Sequence, residues 1–233
     1  MQGNTVHPTA VVGDHVRMGA GNTIGPYAVV VGSVELGDDN WIGPFASIGT
    51  PAQMRGGPHP DWTSHTPHGI RIGGNNVIRE HVTIHEGTER TTFVGDSCYL
   101  MTGSHIPHDA IIEDQVTLAN SVHLGGHTWI GQGANLGLGV QVHQRSAIGA
   151  GVMIGMNSTV TRHIPPFALA VGSPARIRSA NHRGLERTGI AEEVIEAIDL
   201  HYRNGGTGPP GTELPDLGPH LEAFFLHSAS SHA

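Results

Sequence analysis

From Val94 to Val160 every sixth residue is aliphatic: Val94, Leu100, Ile106, Ile112, Leu118, Leu124, Ile130, Leu136, Val142, Ile148, Ile154 and Val160. Four residues after each stands Cys98, Ser104, Ala110, Val116, Val122, Thr128, Ala134, Val140, Ser146, Val152, Ser158 or Ile164, mostly small or β-branched. A half-buried strand repeats every second residue and a helix about every 3.6. A period of six fits neither and is the hexapeptide signature of a parallel β-helix, a solenoid of short strands and turns. Each aliphatic side chain then points to the coil axis, where full burial contributes roughly 1.5–3 kcal/mol, so the column predicts the core.

The same register begins earlier, with Val12, Met18, Ile24, Val30, Leu36, Ile42 and Ile48, and Gly follows most of these. It stops at Thr50–Gly69, a stretch with Pro51, Pro58, Pro60 and Pro67 and no period. Pro is incompatible with an interior strand, so this reads as a loop inserted at about 50–69 and thrown out of the coil. The period resumes at Ile72, Ile78 and Ile84, breaks again over Glu86–Phe93, and ends at His163-Ile164-Pro165-Pro166. The sum predicts about seven coils of three strands over residues 1–166. Residues 167–233 read as a connector and a short α-helical region. Ile190, Val194 and Ile198 recur at helical spacing, Asn204-Gly205-Gly206 stops that helix, and His220–His227 reads as a second one. Thr207–Leu217 reads as linker, and Ser228–Ala233 is expected to fray. A solenoid has open ends, so the tail is expected to cap or flank it.

Composition sharpens this. The chain of 233 residues has 34 Gly and only 5% aromatics, which suits a narrow interior with tight corners. A formal net charge of −8 argues against nucleic acid. All 12 basic residues are Arg, and Arg176, Arg178, Arg183 and Arg187 fall together. Cys98 is the only Cys, lies in the small inward column, and is expected to pack. No apolar run approaches the ~20 residues of a membrane span. Met1–Val12 lacks a charged-then-apolar signal pattern, so a soluble, cytoplasmic protein is expected.

Three hexads make one coil, so residue n lies one rung, about 4.8 Å, from residue n+18. His105 then stacks on His123 and Gln141, Asp109 on His127 and Arg145, and His108 on Gly126. A His accepts a proton near neutral pH when a carboxylate orients it. His108 and Asp109 are neighbours that would diverge on a strand but converge at a corner. Gly126 lets a substrate approach the backbone, and its N–H is positioned to stabilise an oxyanion. No G-x-S-x-G occurs and Cys98 points inward, so acyl transfer without a covalent nucleophile is the leading reading. Two others stay open. One is a zinc hydratase of γ-carbonic anhydrase type, since zinc needs three protein ligands and His is plentiful. The other is a non-catalytic scaffold.

The run His105-Ile106-Pro107-His108-Asp109, with Leu118-Ala119-Asn120-Ser121, Leu124-Gly125-Gly126-His127, Val142-His143-Gln144, Pro165-Pro166 and Asn181 through Arg187, resembles the UDP-N-acetylglucosamine acyltransferases of lipid A biosynthesis. His7-Pro8, Ile78-Arg79-Glu80, Val82-Thr83-Ile84-His85 and Gly87-Thr88 extend the match to about residues 7–190. The resemblance implies a left-handed parallel β-helix and a homotrimer with its sites between subunits. It implies an acyl thioester of acyl carrier protein, or CoA, as donor, a sugar-nucleotide acceptor, and neither cofactor nor metal. It makes His108 the base, Asp109 its orienting group and Gly126 the oxyanion donor. It assigns His105, His127 and His143 to substrate and acyl contacts, His85 and Gln53 to the sugar-nucleotide region, and Asn181 and Arg187 to donor or nucleotide groups. Met156 falls where the acyl groove ends, which implies a donor shorter than the long hydroxyacyl chains. The Arg176–Arg187 cluster suits the acidic carrier protein. Three features depart from the family: Thr50–Gly57 lacks the usual Asp and Lys, the loop to Gly69 is longer and Pro/His-rich, and the helical tail is shorter. The first leads to the expectation of weak use of UDP-N-acetylglucosamine itself.

Overall fold

A computed structural model describes residues 3–55, 67–187, 189–207 and 217–229. The short strands stack into three parallel faces. Face A starts with Thr5–Val6, face B with Val11–Val12 and face C with Arg17–Met18. The chain visits them in the order A, B, C at each rung.

Successive rungs pair residues 18 apart, as in His105 with His123 and Gln141 with Thr159. The step widens to 36 residues where Asn76 bonds Asn40, across the Pro-rich insertion. It is 22 where Cys98 bonds Asn76, across the second break. The coil therefore absorbs both interruptions without changing which residues face inward. All twelve aliphatic residues from Val94 to Val160 are buried. Cys98 is buried among them, and burial pushes its thiol up to about 11. Inside the first rungs Asn22, Asn40 and Asn76 form a ladder, each side-chain oxygen accepting from the backbone N–H one rung on, at 2.7–3.0 Å. A buried polar group is stable only when so paired.

Corners carry their own rule. The second corner residue takes positive φ, as at Tyr27, Phe45, Asp109, His127 and Arg145 (57–62° among these and their equivalents Asp39 and Asn75). Few non-glycine residues adopt that region, Asp, Asn and His more than most. The first corner residue is Pro at Pro26 and Pro44, as a turn of this shape favours. This backbone turns consecutive side chains outward together, which brings His108 and Asp109 within reach of each other.

Face A stacks nine parallel strands, more than the seven coils expected. The extra rungs come from both ends. Thr5–Val6 is too exposed to show a hydrophobic column, and Ala168–Val171 continues the stack beyond Pro165-Pro166. Arg176–Ala180 then turns back antiparallel on Ala168–Val171. Among the described residues three helices follow: α1 (His182–Arg187), α2 (Glu192–Arg203) and α3 (Gly218–Ala229). In α2, Ile195, Ile198 and Tyr202 are buried, and the Tyr202 hydroxyl donates to the Pro166 carbonyl at 2.6 Å. That helix covers the C-terminal end of the coil, and Asn204 caps it, as the sequence predicted. Helix α3 lies on the outside of face C, with Phe224 and His227 against Trp129. Of the fraying expected over Ser228–Ala233, all but its first two residues lies outside the described residues, as do 56–66 of the insertion and most of the linker. No helix among the described residues is long and apolar enough to cross a membrane.

Candidate active site

The corner after strand His105–Ile106 joins faces B and C and carries His108 and Asp109. His108 Nδ1 lies 2.7 Å from Asp109 Oδ2. A carboxylate only accepts, so Nδ1 carries the proton and Nε2 is left with a lone pair toward the cleft. Asp109 is wholly buried. Its carboxylate accepts from the backbone N–H groups of Thr88 (2.9 Å), Glu89 (2.9 Å) and Arg90 (2.8 Å), and from the Thr88 hydroxyl (2.6 Å). Burial by itself would raise the pKa of this carboxyl. The Thr88, His108, Arg90 and Glu89 hydrogen bonds outweigh it and hold the group well below the usual carboxylate range. Arg90 also clamps the turn, its Nε donating to the Asp109 carbonyl at 2.8 Å.

His127 lies one rung on, its Nε2 3.6 Å from Asp109 Oδ2 and its ring edge-on to His108 at 5.1 Å. His108, Asp109 and His127 are the one group of metal-ligating type found among the described residues. The carboxylate already accepts five hydrogen bonds against about four lone-pair positions, so it has no position to offer an ion. That donor set does not fit a zinc centre.

Gly126 faces the His108 ring. A Cβ there would sit 2.6 Å from Cε1 and 2.7 Å from Nε2, below any ordinary contact. Its N–H donates to no acceptor among the described residues, whereas Gly125 N–H is bonded to Val142 and His127 N–H to His108. A free donor thus lies beside a free imidazole nitrogen.

Around them is a cleft of about 190 Å³ lined by Gln53, His85, His105, Pro107, His108, Leu124, Gly125 and Gly126. His85 Nδ1 donates to the Pro51 carbonyl at 2.8 Å, and His105 Nδ1 is 2.7 Å from the Thr83 hydroxyl. Burial pushes His105 down to about 4, helped by His85, His123 and His108. Burial likewise lowers His85 and His127. These rings stay neutral and polar at physiological pH.

The remaining sequence-derived positions lie apart. His143 is exposed at the same corner, one rung beyond Gly125, with Nδ1 bonded to the Gln144 carbonyl. Met156 is 66% exposed on a corner between faces A and B and lines neither this cleft nor the larger one. Asn181 and Arg187 line that second cleft, of about 730 Å³, on face A. The two clefts share no residue. The arginine cluster divides: Arg183 and Arg187 enter the second cleft, while Arg176 and Arg178 are exposed on the antiparallel strand. Sequence reasoning missed Glu89 and Arg90 altogether and used Thr88 only as a motif letter. Their signal was the break in the period at Glu86–Phe93.

A three-faced hexapeptide solenoid with a histidine–aspartate pair on one corner, beside a free backbone donor, places the chain among the hexapeptide-repeat β-helix proteins. The family model described as UDP N-acetylglucosamine O-acyltransferase, domain 2, matches residues 164–204. The acyl-[acyl-carrier-protein]–UDP-N-acetylglucosamine O-acyltransferase of a Synechocystis species is 39% identical over 172 residues, 69% of this chain and 62% of that protein. Its namesake in a Pseudomonas putida strain is 38% identical over 172 residues, 70% of this chain and 67% of that protein. LpxA of Acinetobacter baumannii superposes with a TM-score of 0.78 at 25% identity, over 95% of this chain and 96% of that one. The chain belongs to the UDP-N-acetylglucosamine O-acyltransferase family, and its coil is the left-handed β-helix of that family. The sequence match spans less than two thirds of the Synechocystis relative's length.

Proposed function

We propose that this protein transfers an acyl group from an acyl carrier protein thioester to a hydroxyl or amine of a UDP-sugar. The observation that carries the reading is the His108–Asp109 pair facing the unpaired Gly126 N–H. Asp109 fixes the Nδ1–H tautomer, so His108 Nε2 takes the proton of the attacking hydroxyl or amine. The new bond forms at the thioester carbonyl carbon while its oxygen becomes negative, and the Gly126 N–H donates to that oxygen. Collapse breaks the carbon–sulfur bond, and His108 returns the proton to the departing thiolate. Gln53, His85, His105 and His127 are neutral donors and acceptors suited to orienting a sugar. His143 lies at the same corner, in reach of acyl or substrate groups.

Asn181 and Arg187 belong to a cleft on another face, so one subunit's catalytic corner and its own basic cleft do not make one site. This supports a homotrimer in which face A of one subunit meets the catalytic corner of the next. Arg176 and Arg178, exposed and of one sign, fit an acidic carrier protein. The relatives' names carry acyl carrier protein and UDP-N-acetylglucosamine, which supports the donor and acceptor classes. The missing Asp and Lys after Thr50 favour a sugar other than N-acetylglucosamine. The test offers acyl carrier protein thioesters with a panel of UDP-sugars and reads products by mass. Acylated UDP-sugar supports the reading. Release of free acid alone with every acceptor sinks it.

A further inference from the structure

We propose that His220, on α3, is a ligand-binding residue of the basic cleft, donating an N–H to a phosphate oxygen of a nucleoside-diphosphate ligand. This rests on the UDP-sugar reading above and adds a residue that lies beyond both the family-model match and the motifs that carry the resemblance.

The cleft is basic in an acidic protein. Its lining includes Arg183, Arg187, His182 and His220 and, among the described residues, no Asp or Glu, in a chain of net charge −8. His182 Nε2 is turned away from the cleft, 3.2 Å from Asp199 Oδ1 but outside hydrogen-bond geometry. The side chains of Arg183 and Arg187 make no ion pair or hydrogen bond among the described residues, and the His220 ring makes no hydrogen bond there. Its one ring contact is edge-on to Phe167 at 5.6 Å, which holds the imidazole in place and leaves both nitrogens free. Unpartnered donors converging on one cavity suit a phosphate, whose oxygens accept from several directions at once.

The fold explains why a residue so late in the chain reaches this cavity. Leu217, Leu221 and Phe224 are buried and spaced four and three apart, one stripe along the helix. That stripe seats α3 on face C, and His227 stacks on Trp129 at 4.7 Å to secure its far end. His220 lies three residues after Leu217 and four before Phe224, on the side that turns toward the cleft. The helix is thus pinned at both ends of a short span, with His220 at the cleft end. Because His220 would touch a phosphate oxygen and none of the reacting atoms, its removal should weaken binding and leave the chemical step alone.

The experiment measures UDP and uridine binding to the assembled protein by calorimetry. It compares wild type with His220→Phe, His220→Gln and Arg187→Ala, with thermal unfolding as a check on folding. His220→Phe keeps a ring on Phe167 and loses the donor; His220→Gln keeps a donor and loses the ring. Loss of a charge-assisted hydrogen bond predicts about tenfold or more weaker UDP binding for His220→Phe, uridine binding unchanged, and His220→Gln close to wild type. In turnover, KM for the nucleotide sugar should rise with kcat little altered. His220→Phe binding UDP as wild type, with Arg187→Ala weakened, overturns this proposal alone. Wild type that does not bind UDP overturns the UDP-sugar reading with it.

Discussion

At the scale of single residues, the proposed base His108 would be only as good as Asp109 allows. Removing it should cost about 10²–10⁴ in turnover. His108→Ala is therefore expected to lose nearly all kcat while thermal unfolding stays close to wild type, and near-normal turnover would refute the base assignment. The cluster around it also sets an acid limit on stability. An imidazole whose folded pKa is depressed stays unprotonated in the native state while the unfolded chain takes up protons. Its contribution is complete above the ordinary value of roughly 6.5 and is lost as pH falls toward the folded value. His105, at about 4, and the lowered His85 and His127 place that window between about pH 6.5 and 4. Asp109, depressed instead as a carboxylate, adds a further loss only below about pH 4. The melting temperature should fall steadily from pH 6.5 to 4.5, and His105→Asn should flatten the slope. A wild-type curve flat across that range would show these rings to be freely solvated.

At the scale of elements, the four extra residues that lengthen the rung step to 22 make a cradle for a charge. Three consecutive N–H groups and one hydroxyl converge on a carboxylate, and the turn pays its conformational cost through those bonds. Thr88→Val keeps the shape and deletes the hydroxyl bond. A hydrogen bond to a charged group contributes about 1.5–3 kcal/mol, so denaturant unfolding should shift by about that much. Turnover should drop by less than in His108→Ala, because three backbone donors remain. An unchanged midpoint would mean that Thr88 does not reach the carboxylate in solution. This loop also marks where the sequence stopped being legible. The inward column, the 18-residue rung and the meeting of His108 with Asp109 and Gly126 follow from periodicity and corner geometry alone. The partners of Asp109 do not, because a period says nothing about a segment that interrupts it. The rung Ala168–Val171 was hidden for a related reason: Pro165-Pro166 reads as an end, yet it sits at a corner where Pro is at home. Helix α1 was hidden because six residues are too few to show a helical pattern.

At the scale of the molecule, the proposal of a site divided between two clefts makes a sharp demand on assembly. Neither His108→Ala nor Arg187→Ala should be active alone. If each site takes its base from one subunit and its arginine from the next, trimers reassembled from an equal mixture should regain about a quarter of wild-type activity, the fraction of sites with both halves intact. A mixture as inactive as its parents would place both halves in one subunit. Donor length belongs to this scale too. If a neighbouring subunit closes an acyl groove over Met156, which is exposed in the single subunit, Met156→Gly should shift preference toward longer acyl donors with little loss of maximal rate, since over-packing a groove costs about 1–3 kcal/mol. Identical chain-length profiles for the two proteins would remove Met156 from that role.

The 18-residue rung gives the chain a built-in unit of length. Met156 stands in the third coil beyond the one that holds His108, and adjacent coils are spaced about 4.8 Å. If Met156 ends the acyl groove, specificity along the stack comes in two gears. Inserting or deleting one whole coil between the two residues moves the stop by a fixed increment of several methylenes, leaving every corner in phase. Exchanging the side chain at the stop tunes within that increment. A lineage of such enzymes would be expected to change its preferred chain in coarse jumps by duplication and in fine steps by point substitution, a vernier scale written in hexapeptides.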